Sequence, residues 1–323
     1  MAALTTLAQL VLANGTGLAP VEVSQIFQEA PFLAMLAATP SSDKTNHKYL
    51  RQTSAPTIGF RAVNTGVATS VGEVEEVSQA LKIMHANVEV DQQIAHNFKS
   101  AIYGAGREAY FAWQGLLALR SALQGAELQL FNGTVDGNAS GFAGFANALN
   151  VLGSADKFVI DAGGDTANGC TSIYAVRTTE ALEDVVAVGG DMTGAGAFEI
   201  QAGEIYNSKV VTAVGPPELA FPSYRMNQEG YFGLQVGSKY SLARAANIDT
   251  DTQVTAELIE DLLDKGRSDR PFTHLVMNRR TGRWLARSMQ TDLVKKVELL
   301  TNFEGVEIVY TNNILLTEDA VTA

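Results

Sequence analysis

Residues 41–94 read as a long, mostly polar two-stranded arm, and directly after it comes one long helix, predicted over 107–131 and closed by Asn132-Gly133. An arm of that length cannot bury itself. The outgoing strand runs through His47-Lys48-Tyr49-Leu50-Arg51 and Thr57-Ile58-Gly59-Phe60-Arg61, and the returning one through Glu73-Val74-Glu75-Glu76-Val77 to Val88-Glu89-Val90-Asp91. The tip between them, 64–72, is made of small and turn-forming residues. A lone two-stranded ribbon is marginal in water, so the arm is expected to lie on another copy of the protein. The candidate inter-subunit contacts are Phe32 in the segment ahead of the arm and Arg61, Val63, Val67 and Val71 at the tip. Such a chain is a building block of an assembly.

The long helix carries apolar residues at Trp113, Leu116, Leu119, Leu123, Ala126 and Leu130, spaced by three or four, which predicts one continuous buried stripe. Trp113, Leu116 and Leu123 are its expected core. Gly115 and Gly125 each cost about 1 kcal/mol against alanine inside a helix, so a neighbouring element is expected to approach the backbone at both. Ahead of the arm, two apolar helical pieces are expected over 4–12 and 21–36, joined at Asn14-Gly15-Thr16-Gly17. From 157 onward the pattern turns to short strands: 157–161, 171–177, 185–188, 209–214 and 230–236. A helix is predicted over 251–265, capped by Thr252, and the tail reads strand, helix, strand over 272–278, 279–289 and 305–311.

Composition narrows the function classes. The chain has 323 residues, 46% hydrophobic and 18% charged, with a net charge of −12, ample for a sizeable core in one or two domains. Cys170 is the single cysteine, which rules out an intrachain disulfide and reads as a buried, inert thiol. The apolar start lacks a basic flank and no apolar run reaches membrane-spanning length, so folding in the cytosol is expected. Phosphate contacts need clustered cations, and the densest group, Arg279, Arg280, Arg283 and Arg287, reads as a solvated helix face or a subunit contact. The carboxylates Glu257, Glu260, Asp261 and Asp264 read as an exposed helix side.

No catalytic, cofactor-binding or metal-ligating residues are expected. The string Gly104-Ala105-Gly106-Arg107-Glu108-Ala109 has the GxGxxA form, with Glu127 downstream, and it keeps a nucleotide-dependent oxidoreductase as a remote alternative. A dinucleotide site needs a buried strand before the glycines and a βαβ unit around them. Here the preceding residues are polar, and Glu127 falls inside the same helix. His47, His85, His96 and His274 show no metal-ligand spacing.

Taken in order, these stations resemble a tailed-bacteriophage major capsid protein of the Hong Kong 97-type fold, in its podovirus-like branch. The resemblance covers nearly the whole chain. It rests on Ile26-Phe27-Gln28-Glu29-Ala30-Pro31-Phe32-Leu33, the extended loop ending in Val88-Glu89-Val90-Asp91, the helix closed by Leu130-Phe131-Asn132-Gly133, and Gly141-Phe142-Ala143-Gly144-Phe145-Ala146-Asn147. Thr171-Ser172-Ile173-Tyr174-Ala175-Val176-Arg177, His274-Leu275-Val276-Met277-Asn278 and 305–311 complete it. The order departs from the archetype, because Ser172 to Arg177 precedes the other two tail elements here.

The resemblance implies an α+β fold with an N-terminal arm (1–42), an extended β-hairpin loop (43–95), a peripheral domain with the spine helix (96–250) and an axial domain (251–323). It implies a homo-oligomer of pentamers and hexamers closing into an icosahedral shell, assembled in the host bacterial cytoplasm around double-stranded DNA. It also implies a portal protein at one vertex and allows a decoration protein. With about forty residues ahead of the loop, a fused scaffold is not expected, so a separate scaffolding protein is. Lys44 and Lys48 lie at the loop's base, which suggests a shell without covalent crosslinks. An encapsulin-like nanocompartment is the alternative within the same fold.

Overall fold

The computed structural model describes residues 30–41, 43, 45–152, 158–179, 183–189, 201–202, 205–212, 219–290 and 298–322. The helical piece expected over 4–12, and most of that over 21–36, lies outside them. Residues 31–36 form turns instead of a helix end, with Phe32 O accepting from both Met35 N and Leu36 N at 3.0 Å.

Along the chain come β1 (Ala38–Pro40), β2 (Asn46–Ser54), β3 (Glu73–Ala80) and β4 (Lys82–Asp91). Helix α1 (Gln92–Asn97) follows, capped by the Asp91 carboxylate accepting from Gln93 N at 2.8 Å. Next are β5 (Lys99–Ser100), β6 (Gly104–Ala105), the long α2 (Arg107–Asn132) and the short α3 (Phe145–Ala148). Strands β7 (Val159–Asp161), β8 (Thr171–Val176), β9 (Val185–Gly189), β10 (Gln201–Ala202), β11 (Tyr206–Thr212), β12 (Leu219–Val236) and β13 (Leu242–Ile248) come next. The tail holds α4 (Ala256–Leu263), β14 (His274–Met277), α5 (Arg279–Ser288), β15 (Asn302–Phe303) and β16 (Val306–Tyr310).

The chain divides into two compact units. The first takes Ala30 and the described residues within 83–126 and 199–231. In it β12 pairs antiparallel with β10 and β11, and β4 also pairs with β12. Its core gathers Val90, Ala95, Phe98, Ala109, Tyr110, Phe111, Tyr224 and Met226. Phe98 stacks on Trp113 at 5.7 Å and meets Tyr110 edge-on at 5.4 Å.

The second unit takes 31–82, 127–198 and 232–323. Its main sheet runs β15-β16-β14-β8-β13-β7, with β8 antiparallel to both β13 and β14. Every residue of β8 and β13 is buried, because strands in the middle of a covered sheet face packed layers on both sides. This sheet draws strands from both sides of residue 250, so the boundary expected at 250/251 does not divide the fold. The closing strand, helix and strand pair directly with β8 instead of forming a body of their own.

Other expectations shift for local reasons. The helix expected from 251 starts at Ala256, where Thr255 Oγ1 accepts from Leu258 N at 3.2 Å. Thr252 is held elsewhere: the Asp249 carboxylate accepts from Asp251 N, Thr252 N and the hydroxyls of Thr252 and Thr166 at 2.7–2.9 Å. Those bonds, led by Thr252 N, hold the Asp249 carboxyl well below the usual carboxylate range. The Cys170 thiol is buried, and burial pushes it up.

The spine stripe is only partly as expected. Ala126 and Leu130 are buried, but Trp113, Leu116 and Leu123 are half-exposed in the single chain. The packed layers cover the first turns through Ala109, Tyr110 and Phe111 and the last through Leu130, Phe131 and Asn132, leaving the middle leucines partly open.

Close approach holds at Gly115 and fails at Gly125. A Cβ at Gly115 would stand 2.9 Å from Gln228 Nε2 and 3.3 Å from Met226 Cε, whereas one at Gly125 meets nothing within 4 Å. Gln228 Nε2 also donates to Gly115 O at 3.1 Å. Gly115→Leu is therefore expected to destabilise by about 1–3 kcal/mol through overpacking, against a helix-propensity gain of under about 1 kcal/mol. Leu123→Ala, at a half-open position, should cost roughly 1 kcal/mol. Thermal melts of the two variants check this order.

Candidate assembly surface

The arm is a hairpin of β2 and β3, in register from Asn46↔Ala80 to Gln52↔Val74 and shifted by one residue before Ser54↔Glu73, with an irregular tip over 55–72. Thr57-Ile58-Gly59-Phe60-Arg61 is not strand. The return strand also ends earlier than expected: Leu81 is buried, and β4 leaves the hairpin to pair with β12 in the first unit. The loop proper thus stops near residue 81 and not at 95.

The hairpin's root is fixed to its own chain. His47, buried, holds Gln235 Oε1 through Nε2 at 2.5 Å, and the Tyr49 hydroxyl donates to Val236 O at 3.3 Å. Beyond the root little holds it. The ion pairs Lys48–Glu76 and Arg51–Glu75, both at 3.3 Å, are exposed and contribute about 0–1 kcal/mol each. At the tip, Thr57 N donates to Ser70 Oγ at 2.6 Å, the Thr65 hydroxyl donates to Ala62 O at 2.8 Å, and Arg61 Nη1 reaches Thr65 O at 3.4 Å. Asn64 takes φ 65° in that turn, a conformation asparagine tolerates.

The outer surface of this segment is apolar. Phe60 is 106% exposed, Val63 90%, Ile58 88% and Val71 85%, with Leu50, Val67 and Val74 also open. So many open apolar side chains on one segment suit a protein contact. Arg61, Val63, Val67 and Val71 therefore stand on one open segment.

Phe32 does not belong with them. It is fully buried in its own chain, with ring centroids 5.5 Å from Phe131 and 6.2 Å from Phe145. Pro31 and the turn after it aim the ring inward, so it is a core residue.

The GxGxxA string is a hairpin corner. Strands β5 and β6 pair antiparallel over two residues, and Gly104 and Gly106 take φ 86° and 92° to turn the chain into α2. Glu127 is fully buried and already engaged. Its carboxylate accepts from Leu33 N at 3.0 Å, the Thr311 hydroxyl at 2.5 Å and Asn313 Nδ2 at 3.0 Å, which leaves it no ribose to bind. Burial raises this carboxyl above its ordinary value, although the donors on Thr311, Leu33, Asn313 and Phe32 oppose the rise. The stability its proton contributes is fully present below the unfolded value of 4.5 and is lost as pH rises through the higher folded one. Glu127→Gln should shrink the difference between melts at about pH 5 and about pH 8.

The histidines are occupied separately. His96 Nε2 bonds the Tyr224 hydroxyl at 3.0 Å, His85 lies 3.3 Å from Glu229, and His274 Nδ1 bonds the Thr273 hydroxyl at 2.8 Å. Among the described residues no three potential ligands gather as a metal site, and no helix is long and apolar enough to cross a membrane.

The loop is thus rooted in the second unit and open at its tip. The family described as Major capsid protein GP7 matches residues 18–322. The chain belongs to this family. It is a tailed-phage major capsid protein with the Hong Kong 97-type α+β fold. A chain of the near-atomic structure of bacteriophage Epsilon15 superposes on the capsid protein with a TM-score of 0.64 at 17% identity, covering 100% of this chain and 98% of that one. At that identity the likeness shows the fold alone. The bacteriophage JBD30 capsid gives 0.46 at 13% identity over 97% of this chain and 95% of that chain. The holo-SrpI encapsulin complex from Synechococcus elongatus gives 0.42 at 14% over 77% and 97%. These last two are too distant to carry an argument. Comparison with curated proteins returns no match.

Proposed function

We propose that this capsid protein assembles as pentamers and hexamers into the icosahedral head of a tailed bacteriophage, enclosing double-stranded DNA, and that it does so in the host bacterial cytoplasm. The observation that carries the reading is the loop at 55–72, whose Ile58, Phe60, Val63 and Val71 are exposed in the single chain; in this reading a neighbouring subunit covers them. At about 25 cal/mol per Å² of apolar surface removed from water, side chains of this size supply a useful share of an interface's energy. In this reading the unit of 83–126 and 199–231, with most of the spine helix, is the peripheral domain. The sheet of the other unit is the axial domain, and the hairpin of β2 and β3 is its extended loop.

A portal at one vertex and a separate scaffolding protein belong to the same reading. Heterologous contacts close into rings or run on into spirals depending on a small rotation, so an outside partner is needed to set curvature. Negative-stain microscopy of the expressed chain, with and without its flanking genes, tests this. Shells of uniform size are expected with them, and spirals, tubes or variable shells without. A chain that remains monomeric in both cases contradicts the assembly, and uniform native-size shells from the chain alone remove the scaffold.

A further inference from the structure

Helices α4 and α5 carry opposite charges on their open faces. Helix α4 buries Ile259 and Leu262 and turns Glu257, Glu260, Asp261 and, at its C-cap, Asp264 to solvent. Positions spaced three, four and seven apart fall on one stripe of a helix with 3.6 residues per turn. Helix α5 buries Thr281, Gly282, Trp284, Leu285 and Ala286 and turns Arg279, Arg280, Arg283 and Arg287 outward on the same spacing. None of these eight charges has an ion-pair partner among the described residues, where the neighbouring Arg267 and Arg270 are paired to Asp269, Glu183 and Asp184. Arg280 lies over the Trp284 ring at 5.0 Å, which holds its guanidinium on the open face.

Most of each stripe also runs against its own helix, Glu257 in the first turn of α4 and Arg287 in the last turn of α5 being the members the dipole favours. The helix macrodipole favours anions at an N-terminus and cations at a C-terminus. Yet Arg279 and Arg280 occupy the first turn of α5, and Glu260, Asp261 and Asp264 crowd the end of α4. Neither arrangement helps the isolated chain. Each is relieved by opposite charge brought from outside, and the two stripes are opposite in sign and equal in number.

We propose that α4 of one capsid subunit meets α5 of the next, forming a head-to-tail charged seam between copies within the ring. The proposal rests on the ring assembly put forward above. Because the two stripes are different surfaces of one chain, the contact is heterologous and repeats around a closed ring. A seam of this kind sets partner, register and encounter rate more than raw affinity, and it weakens with salt. Nucleic acid is the other occupant a basic stripe could take. The chain's net charge of −12 disfavours it, and it leaves the equal acidic stripe unexplained.

The test uses full-length chains: Arg279→Glu/Arg283→Glu/Arg287→Glu, Glu257→Lys/Glu260→Lys/Asp264→Lys, and one carrying all six changes. Sedimentation velocity and negative-stain microscopy read assembly at low and high salt, and circular dichroism reads the fold. Each single-face variant alone should need at least a tenfold higher concentration than the parent to form rings. Mixing the two in equal amounts should restore six-membered rings but not five-membered ones, since only an even ring can alternate them. The six-change chain should assemble like the parent. The arginine-face variant should melt close to the parent, because the gain from glutamate at position 279 in the first turn of α5 offsets the loss from glutamate at 287 in its last turn. Single-face variants that assemble normally overturn the seam, as does a folded six-change chain that fails to assemble. An effect confined to the arginine face, with DNA retention lost and rings intact, overturns it in favour of nucleic acid. Should the parent itself form no rings, the shell reading fails in the parent, and the seam falls with it.

Discussion

Deleting residues 63–72 is expected to leave a folded, soluble chain that forms no shells. Every residue from 63 to 71 is exposed, and the bonds lost are the turn contacts around Thr65 and the Ser70 link to Thr57. The root of the hairpin, with His47 on Gln235 and Leu81 N donating to Thr45 O at 2.8 Å, lies outside the deletion. The melting temperature should therefore stay close to the parent's, since surface changes of this kind fall within about 0.5 kcal/mol. Solubility should rise, because three exposed valines leave the surface. Assembly should be lost because the tip's Val63, Val67 and Val71 go with it. Scanning calorimetry together with negative-stain microscopy separates the two effects. An unfolded deletion variant would place the tip in the core, and normal shells from a folded one would remove the loop from the interface.

Much of this architecture was legible because it is written in local patterns. The 3.6-residue periodicity marked the spine helix to within a residue of its end at Asn132, and turn residues bracketed most strands. The loop was legible for the opposite reason: its polar strands offer no apolar face to bury. What failed were places where a long-range contact decides. Phe32 looks like part of a docking arm, and only the aromatic cluster of Phe131 and Phe145 shows that it turns inward. The stripe through Leu116 and Leu123 has the right spacing, but periodicity reports which residues share a face and not how far the neighbouring layer extends over it. The end of the hairpin was misplaced because Val88 and Val90 continue the same alternation into β4, whose partner β12 lies more than a hundred residues away in sequence. The buried polar networks were missed altogether. A signal was available: Arg244 interrupts Leu242-Ala243 and Ala245-Ala246, and a charge at the centre of an apolar strand needs a partner.

That arginine carries the largest expected effect on stability. Arg244 is buried in β13, where Nη2 donates to Glu318 Oε2 at 2.9 Å, Nε to Ser172 Oγ at 2.9 Å and Nη1 to Leu149 O at 2.8 Å. The Ser172 hydroxyl donates to the same Glu318 oxygen at 2.5 Å, and the guanidinium lies 5.7 Å over the Tyr174 ring. Strand β13, the loop at Leu149, strand β8 and the C-terminal segment thus meet on one side chain. Arg244→Met fills much of the volume but strands a buried carboxylate, at a cost of about 3–5 kcal/mol, a large part of a typical domain's stability. Burial already raises the Glu318 carboxyl even with the arginine present. Without it the carboxyl rises further, so its proton stabilises fully below the unfolded value and that support is lost as pH rises through the folded one. The deficit of Arg244→Met should therefore be smaller near pH 5 than near pH 8, a range spanning carboxyl titration. Removing both partners tests the cause. Arg244→Met/Glu318→Leu leaves no stranded charge and should recover part of the loss, giving a coupling of roughly 1–3 kcal/mol in a double-mutant cycle. Additive losses, or a single variant costing under about 1 kcal/mol, would mean that the pair is held by its surroundings and does not itself hold the sheet to the C-terminal segment.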